Sequence, residues 1–268
     1  VRAAGAGLGC PDWPKCYGLW IPPMHVSDLP SGFDVDSFNA FKTWTEYVNR
    51  LIGVLVGFLI AANFLTSLRY RRSKPSVTIS SLLALILVLF QAWLGGQVVR
   101  SGLASGMITL HMLLAMILLS LLISLHAWSS PHPQGIIIPG SRLLYGLIIL
   151  QVILGTQVRE KVDEFTKEPE GIARENWLDH AGLVDHIHRP LSLVVLGLSI
   201  WIFWTARKKS KKDLLPTWIL GCVLGQILLG IILAYAGLPP WSQTAHLVLG
   251  AGLLCLVYRA GWHPVAST

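Results

Sequence analysis

Seven long apolar runs do most to limit what this chain can fold into. About 20 apolar residues are needed for a helix to cross a bilayer. The runs cover residues 47–68, 77–99, 107–128, 136–157, 187–206, 214–236 and 243–259. Only 13% of the 268 residues are charged, whereas soluble domains carry roughly 25%. The sequence therefore predicts an all-α integral membrane protein that lies in contact with lipid.

Two clusters of basic residues predict the orientation of these spans. The clusters follow the first and fifth spans and consist of Arg69, Arg71, Arg72 and Lys74, and of Arg207, Lys208, Lys209, Lys211 and Lys212. The positive-inside rule assigns both to the cytoplasm. Residues 1–45, 100–106, 158–186 and 237–242 are then outside, and the C-terminus is cytoplasmic. Topology explains much of the net charge of +7, so no nucleic-acid partner is needed to account for it.

An internal repeat divides the chain into two related halves. Residues 91–111 match 226–246 without a gap, and each copy ends in a histidine, His111 or His246. A second correspondence places Glu46, Asn49 and Arg50 opposite Asp185, His188 and Arg189. Such repeats indicate a duplicated architecture. We therefore expect two pseudo-repeated bundles, in residues 1–128 and 136–268.

A third copy of part of the repeat suggests that a span precedes the sequence. Gln151, Gly155 and Gln157 repeat the pattern of Gln91, Gly95 and Gln97, and Val158 and Arg159 follow them. Val1 and Arg2 are interpreted as the last remnant of an equivalent helix. The expectation is then eight spans in the full protein, arranged as two four-helix bundles, with the first span missing here.

The repeat-equivalent polar residues predict a ligand site at the outer ends of the spans. Polar groups inside spans are costly and usually face the bundle interior. Two histidines alone underfill a zinc site, whereas heme supplies four nitrogens itself and needs only two axial ligands. The sequence therefore favours heme between His188 and His246, with His111 as a further metal ligand. Arg50 and Arg189 are candidates to pair with heme propionates, with snorkelling to the membrane surface as the alternative.

Cys10 and Cys16, with five residues between them, lie on the predicted outer side. The oxidising environment there favours a structural disulfide, and the alternatives are a redox-active pair or a metal site. The long outer segments 17–45 and 160–186 contain Trp20, Trp44 and Trp177. Loops this long are usually functional lids or disordered, and their place on the histidine side is consistent with lids over the site.

Several motifs together resemble one known family. They are Val-Arg-x-x-Gly-x-Gly-Leu-Gly-Cys-Pro-Asp-Trp-Pro-Lys-Cys at 1–16, Glu-Tyr-Val-Asn-Arg at 46–50, His-Ile-His-Arg-Pro at 186–190, and the helices with His111 and His246. Over essentially the whole chain this combination resembles heme A synthase in its bacterial cysteine-loop form. The resemblance implies a membrane oxidoreductase of heme biosynthesis, which oxidises a ring methyl group of heme O to a formyl group and so makes heme A for terminal oxidases.

The resemblance also implies residue roles. His188 and His246 would bind a heme b, and the N-terminal half would receive the substrate heme O beside Glu46, Asn49 and His111. Cys10 and Cys16 would form a disulfide near that substrate site. Glu46 is the candidate catalytic acid or base, because desolvation can raise a carboxyl pKa toward neutrality; its alternative role is to pair with the helix dipole or Arg50.

Asn49 departs from the family motif, which reads Glu-x-x-His-Arg. Asparagine is a poor iron ligand, so His111 would be the one protein ligand to the substrate heme, with His25 as a minor alternative for the other face. The remaining histidines are interpreted as loop or interface residues: His126, His132, His180, His186 and His263.

Two other functions compete with this interpretation. One is a di-heme, quinol-linked membrane cytochrome, against which Asn49 counts, and the other is a heme-handling transporter or chaperone. The favoured function implies a bacterial inner-membrane location with heme sites toward the outer face. It also implies a heme O synthase and an electron donor as partners, and it leaves a homo-oligomer open.

Overall fold

The computed structural model describes residues 1–104, 106–129, 137–167, 181–210 and 213–263. Seven long helices account for most of this part, and no strand occurs in it. They are α1 (Ala40–Ser67), α2 (Pro75–Arg100), α3 (Met107–Ser129), α4 (Ser141–Lys167), α5 (Leu183–Lys209), α6 (Leu215–Tyr235) and α7 (Pro240–Trp262). All seven are long and apolar enough to cross a membrane, which confirms the predicted all-α membrane fold. His132, His180 and Trp177 lie outside the described residues.

Local signals explain where the helices begin. Asn39 caps α1, because its side chain accepts a hydrogen bond from the Lys42 amide at 3.0 Å. Proline stands in the first two positions of α2, α6 and α7, where its missing N–H costs nothing. Gly140, with a φ of 83°, directly precedes α4 in a conformation that favours glycine.

Two predicted helix boundaries were wrong. The first span was expected from residue 47, but α1 begins at Ala40, so Glu46 lies well inside the helix instead of at its start. The fourth was expected at 136–157, but α4 extends to Lys167. Charged residues support this extension through ion pairs along the helix, from Arg159 to Asp163 at 2.8 Å and from Lys161 to Glu164 at 2.9 Å. Hydropathy does not detect such a segment.

The chain divides into two compact units, residues 1–118 and 119–268, with the division inside α3. In the first unit, α1 packs against α2, and the segment before α1 folds back over their ends. That segment has a small core of its own, in which Tyr17 makes edge contacts with Phe33 and Phe38.

In the second unit, α4 and α6 each pack against both α5 and α7. Every helix of this set therefore has two neighbours, as in a four-helix bundle. The bundle interior is apolar and includes the fully buried Leu144, Ile202, Ile219 and Leu254. Many large apolar side chains on the outer faces are exposed, which suits helices surrounded by lipid.

The end of α7 carries a buried polar cluster. Ser124 hydrogen-bonds both the Tyr258 hydroxyl at 2.8 Å and His263 Nε2 at 3.0 Å. The His263 ring also makes an edge contact with Trp128. Burial and the nearby charge of Arg259 lower the pKa of His263 below its ordinary value of 6.5. His263, expected as a loop or interface residue, is thus part of a packed helix end.

Candidate heme-binding site

Glu46 and Arg50 form the first acid–arginine pair, on α1. Glu46 is only 4% exposed, and its Oε1 accepts from Arg50 through Nε at 3.2 Å and through Nη2. The other oxygen, Oε2, accepts from the backbone N–H of Cys10 at 3.0 Å. Both carboxylate oxygens are therefore engaged, and the expected contact with Arg50 is present. The expected contact with the helix dipole is wrong for Glu46, because the residue lies beyond the first turn of α1.

The cysteine loop, residues 10–16, closes over this pair. Cys10 and Cys16 form a disulfide with an S–S distance of 2.03 Å. Arg50 Nη1 donates to the backbone oxygens of Asp12 and Lys15, each at 2.9 Å. Arg50 consequently links the carboxylate of Glu46 to the two sides of the loop, and its own side chain is only 14% exposed.

Two glycines let the loop approach the helices closely. A Cβ on Gly9 would lie 2.3 Å from the backbone oxygen of Lys42, and a Cβ on Gly96 of α2 would lie 2.8 Å from the Trp13 ring. Thr43 Oγ1 donates to the Gly9 oxygen at 2.8 Å. These positions have no room for a side chain. Neither contact was predicted from the sequence, although the glycines beside the loop motif and in α2 were visible signals.

Asp185 and Arg189 form the second acid–arginine pair, on α5. Asp185 Oδ2 lies 2.6 Å from Arg189 Nη2. Asp185 is 5% exposed and lies in the first turn of α5, where an acid is favoured by the helix dipole. The Arg189 side chain is 41% exposed, much more than that of Arg50.

The three predicted metal-ligating histidines occupy equivalent places. His111, His188 and His246 each lie in the first two turns of their helix, half-buried. The Nδ1 atom of each ring is buried and has no hydrogen-bond partner among the described residues. In the second unit, His188 and His246 come from different helices, α5 and α7, which both pack against α4 and α6.

A glutamine from the preceding helix contacts each of these histidines at the main chain. The Nε2 of Gln91 donates to the His111 oxygen at 2.9 Å, that of Gln151 to the His188 oxygen at 3.2 Å, and that of Gln226 to the His246 oxygen at 2.7 Å. The sequence repeat identified these glutamines but not what they bind.

The residues of the second unit fit a heme better than a bare metal ion. No group of three or more His, Cys, Asp or Glu that could hold an ion occurs in the described ranges. Two imidazoles with free nitrogens are the set that completes the coordination of a heme iron. A buried ring nitrogen without a partner is costly, so these rings are suited to a ligand. His188 and His246 are therefore the residues that would hold the heme.

The first unit offers fewer ligands. Besides His111, it has Asn49, which is exposed and lies one turn beyond Glu46 on α1. His25 is also exposed. The structure thus brings Glu46, Arg50 and the cysteine loop together. His126 and His186, expected as loop or interface residues, are exposed and lie on α3 and α5.

The chain is similar to known proteins over nearly its whole length. The family model described as cytochrome oxidase assembly protein, COX15-CtaA, matches residues 1–258. The heme A synthase of Shewanella oneidensis is 25% identical, over 100% of this chain and 92% of that protein. The heme A synthase of Paracoccus denitrificans is 26% identical, over 98% of this chain and 82% of that protein. No solved structure matches the chain.

Proposed function

The chain belongs to the COX15-CtaA family of cytochrome oxidase assembly proteins, and from this premise we propose that it is a heme A synthase. Its relatives over the full length carry that name. The observation that carries the proposal is the family match, together with two half-buried imidazoles, His188 and His246, on two different helices of the described bundle. Heme O is the substrate and heme A the product.

The reaction converts a ring methyl group into a formyl group. Counted against water as the oxygen source, this change removes four electrons and four protons and adds one oxygen atom. The protein must therefore hold the substrate heme in one orientation and accept or pass protons beside it. We assign these tasks to the first unit.

Glu46 is the proposed proton-handling residue. It is buried, and its carboxylate is fixed by Arg50 and by the Cys10 amide. A carboxylate held in this way is pre-oriented, and general acid or base catalysis by a positioned side chain contributes typically 10²–10⁴-fold. His111 is the proposed protein ligand to the substrate heme. Asn49, on the turn of α1 after Glu46, leaves the other face of that heme open.

The second unit is proposed to hold a resident heme b between His188 and His246. Bound there, the heme supplies one-electron redox chemistry. The protein's part is to fix both rings, exclude water through the apolar bundle, and present Arg189 to an anionic group. Arg50 was expected to play the same part for the substrate heme, but its Nε, Nη1 and Nη2 already donate to Glu46 and to the cysteine loop, so its proposed role is to hold that loop over Glu46.

The proposal includes a location and partners. The chain would cross the bacterial inner membrane with both heme sites toward the outer face and the C-terminus in the cytoplasm, as the basic residues after α1 and α5 favour. A heme O synthase would deliver the substrate, and a separate redox partner would accept, through the second unit, the four electrons that the oxidation releases.

Pigment analysis tests this function directly. The protein is produced with and without a heme O synthase, purified, and its hemes are extracted and separated. We expect heme b in both preparations and heme A together with heme O in the first alone. Heme b alone in both preparations would contradict the synthase and favour an electron-transfer cytochrome.

A further inference from the structure

The same contact between neighbouring helices occurs three times. One helix carries a glutamine and, four residues later, a glycine, and both face a histidine on the next long helix. The three sets are Gln91, Gly95 and His111; Gln151, Gly155 and His188; and Gln226, Gly230 and His246. We call this the Gln–Gly contact of the histidine.

The glutamine ties the main chain at the histidine to the neighbouring helix. Its amide donates to the backbone oxygen of the histidine itself, at 2.7 to 3.2 Å in the three sets. In one set, Gly250 leaves room for the glutamine side chain, because a Cβ there would lie only 3.0 Å from Gln226 Nε2. The height and rotation of each histidine on its helix are thereby fixed from outside that helix.

The unused atoms of two sets are complementary. Gln91 Oε1 and Gln151 Oε1 are buried acceptors without a partner in the described residues, and so are the Nδ1 atoms of His111 and His188. An imidazole that binds iron through Nε2 carries its proton on Nδ1, and that N–H normally needs an acceptor. The glutamine oxygen is on the residue already joined to that histidine.

The glycine receives the edge of the imidazole ring. A Cβ on Gly95 would lie 3.3 Å from His111 Cε1, and a Cβ on Gly155 would lie 3.3 Å from His188 Cε1. The third set is looser, because a Cβ on Gly230 would lie 4.0 Å from His246 Cε1. The first two rings thus have no room to turn toward their glycine.

We propose that Gln151, Gly155, Gln226 and Gly230 are positioning residues, which fix the planes of the axial imidazoles of His188 and His246. Gln91 and Gly95 do the same for His111. The inference rests on the proposed function, in which these histidines bind heme. It adds that ring orientation, and with it the redox potential, is set by residues that do not touch iron.

The glycines provide the first test, because a Cβ added at each would lie at a different distance from the histidine ring. Gly155→Ala crowds the His188 ring, Gly230→Ala makes an ordinary contact with His246, and Gly146→Ala is the matched control. Gly146 is also on α4, is exposed, has nothing within 4 Å of its Cβ position, and lies on the opposite face from Gly155. The readouts are the paramagnetic resonance spectrum of oxidised heme b and its midpoint potential.

We expect Gly155→Ala to shift both readouts, Gly230→Ala to shift them less, and Gly146→Ala to leave them unchanged. Equal spectra for Gly155→Ala and Gly146→Ala would overturn the proposal. A shift in Gly146→Ala as large as in Gly155→Ala would also overturn it, because the effect would then not depend on the ring contact.

The glutamines provide the second test. Gln151→Met and Gln226→Met keep the side-chain length and remove the amide, and exposed Gln157→Met on α4 is the control. Loss of an outer partner of a metal ligand typically weakens binding about 10- to 100-fold, and we expect that loss for heme b, measured by transfer to an apo-globin. If both variants retain heme b as well as the Gln157→Met control does, the proposed role of the amides is overturned.

The two proposals fail in different ways. If the wild-type protein holds no heme b, or if His246→Ala does not remove it, the proposed function fails. If wild type and His246→Ala behave as proposed but the glycine and glutamine variants match their controls, the positioning role alone fails.

Discussion

The two acid–arginine pairs have the same spacing on equivalent helices, yet they differ in what surrounds them. Arg50 is 14% exposed and donates to Glu46 and to two backbone oxygens of the cysteine loop, whereas Arg189 is 41% exposed beside Asp185. Glu46 also accepts the Cys10 amide. The first arginine is therefore covered by the cysteine loop, whereas the second is paired with its acid but remains partly exposed.

This difference fits a division of labour between the units. Under the proposed function, the reacting substrate would need a fixed proton-handling group, and the cysteine loop holds Glu46 in place. A resident heme b would need two ligands and a cation at its edge, for which the second unit offers His188, His246 and the partly exposed Arg189. The acid–arginine motif would then serve different purposes in the two units, because different segments pack on it.

Of the changes that compare the two units, removal of the ligand histidines should have the largest effect, and it should appear in the heme b signal. We expect His188→Ala or His246→Ala to abolish the low-spin heme b signal, because each removes one of two axial ligands. His111→Ala, in the first unit, should keep that signal. Absorption spectra and heme content of the purified variants measure this. A heme b signal that survives in His246→Ala would remove the second unit from the assignment.

Neutralising the two acids should have the next largest effect, and heme A output should differ between the two variants. Glu46→Gln keeps an acceptor for the Cys10 amide but loses the charge, and we expect heme A output to fall about 10²-fold or more, the range of a positioned acid or base. Asp185→Asn should reduce it much less. Heme A formed per chain is the measurement, with heme b content as the control for folding. Similar losses in both variants would mean that the pairs do not differ in function.

Restoring the missing histidine should make the two units more alike. In Asn49→His, the first unit gains a second imidazole, and we expect an additional low-spin signal when the substrate heme is bound. Paramagnetic resonance of the variant, with and without heme O synthase, measures it. An unchanged spectrum would show that residue 49 does not face the substrate.

Opening the cysteine loop should destabilise one unit only. Closing a loop of this length contributes about 2 kcal/mol by the chain-entropy estimate, so the double variant Cys10→Ser, Cys16→Ser should lower the thermal midpoint of the first unit. Intrinsic fluorescence reports on both units, because four of the eleven tryptophans lie in the first, and heme b absorbance reports on the second alone. A matching fall in the heme b midpoint would contradict an effect confined to the loop.

Lowering the pH should have the smallest effect, a decrease in the stability of the second unit. The pKa of His263 is lowered below 6.5 by burial and by Arg259, so the unfolded chain takes up the proton first as pH falls. Stability should therefore decrease from about pH 6.5 down to the folded pKa and level off below it. The heme b thermal midpoint against pH measures this. His263→Gln should flatten the profile, and an unchanged slope in that variant would exclude His263 as its cause.

Sequence reasoning predicted the features that depend on composition and repetition. Seven spans follow from hydropathy, and the disulfide partners follow from two cysteines on one predicted side. The early start of α1 and the charged end of α4 were missed, because a cap and ion pairs stabilise them and hydropathy does not measure either. The contacts of Glu46 with Cys10 and of Gln226 with His246 were missed since they join segments that are close only after folding.

The hydrogen bond from residue 10 to Glu46 has a consequence for how this chain can vary. Its donor is a main-chain N–H, which every residue except proline supplies. Replacement of both cysteines would therefore leave the chemical partner of the carboxylate in place, and the substitution would test only how well the loop holds it there. Gly9 and Gly96, where a Cβ has no room, should by contrast tolerate no replacement. Along this loop, glycine identity constrains sequence drift more strongly than cysteine identity does.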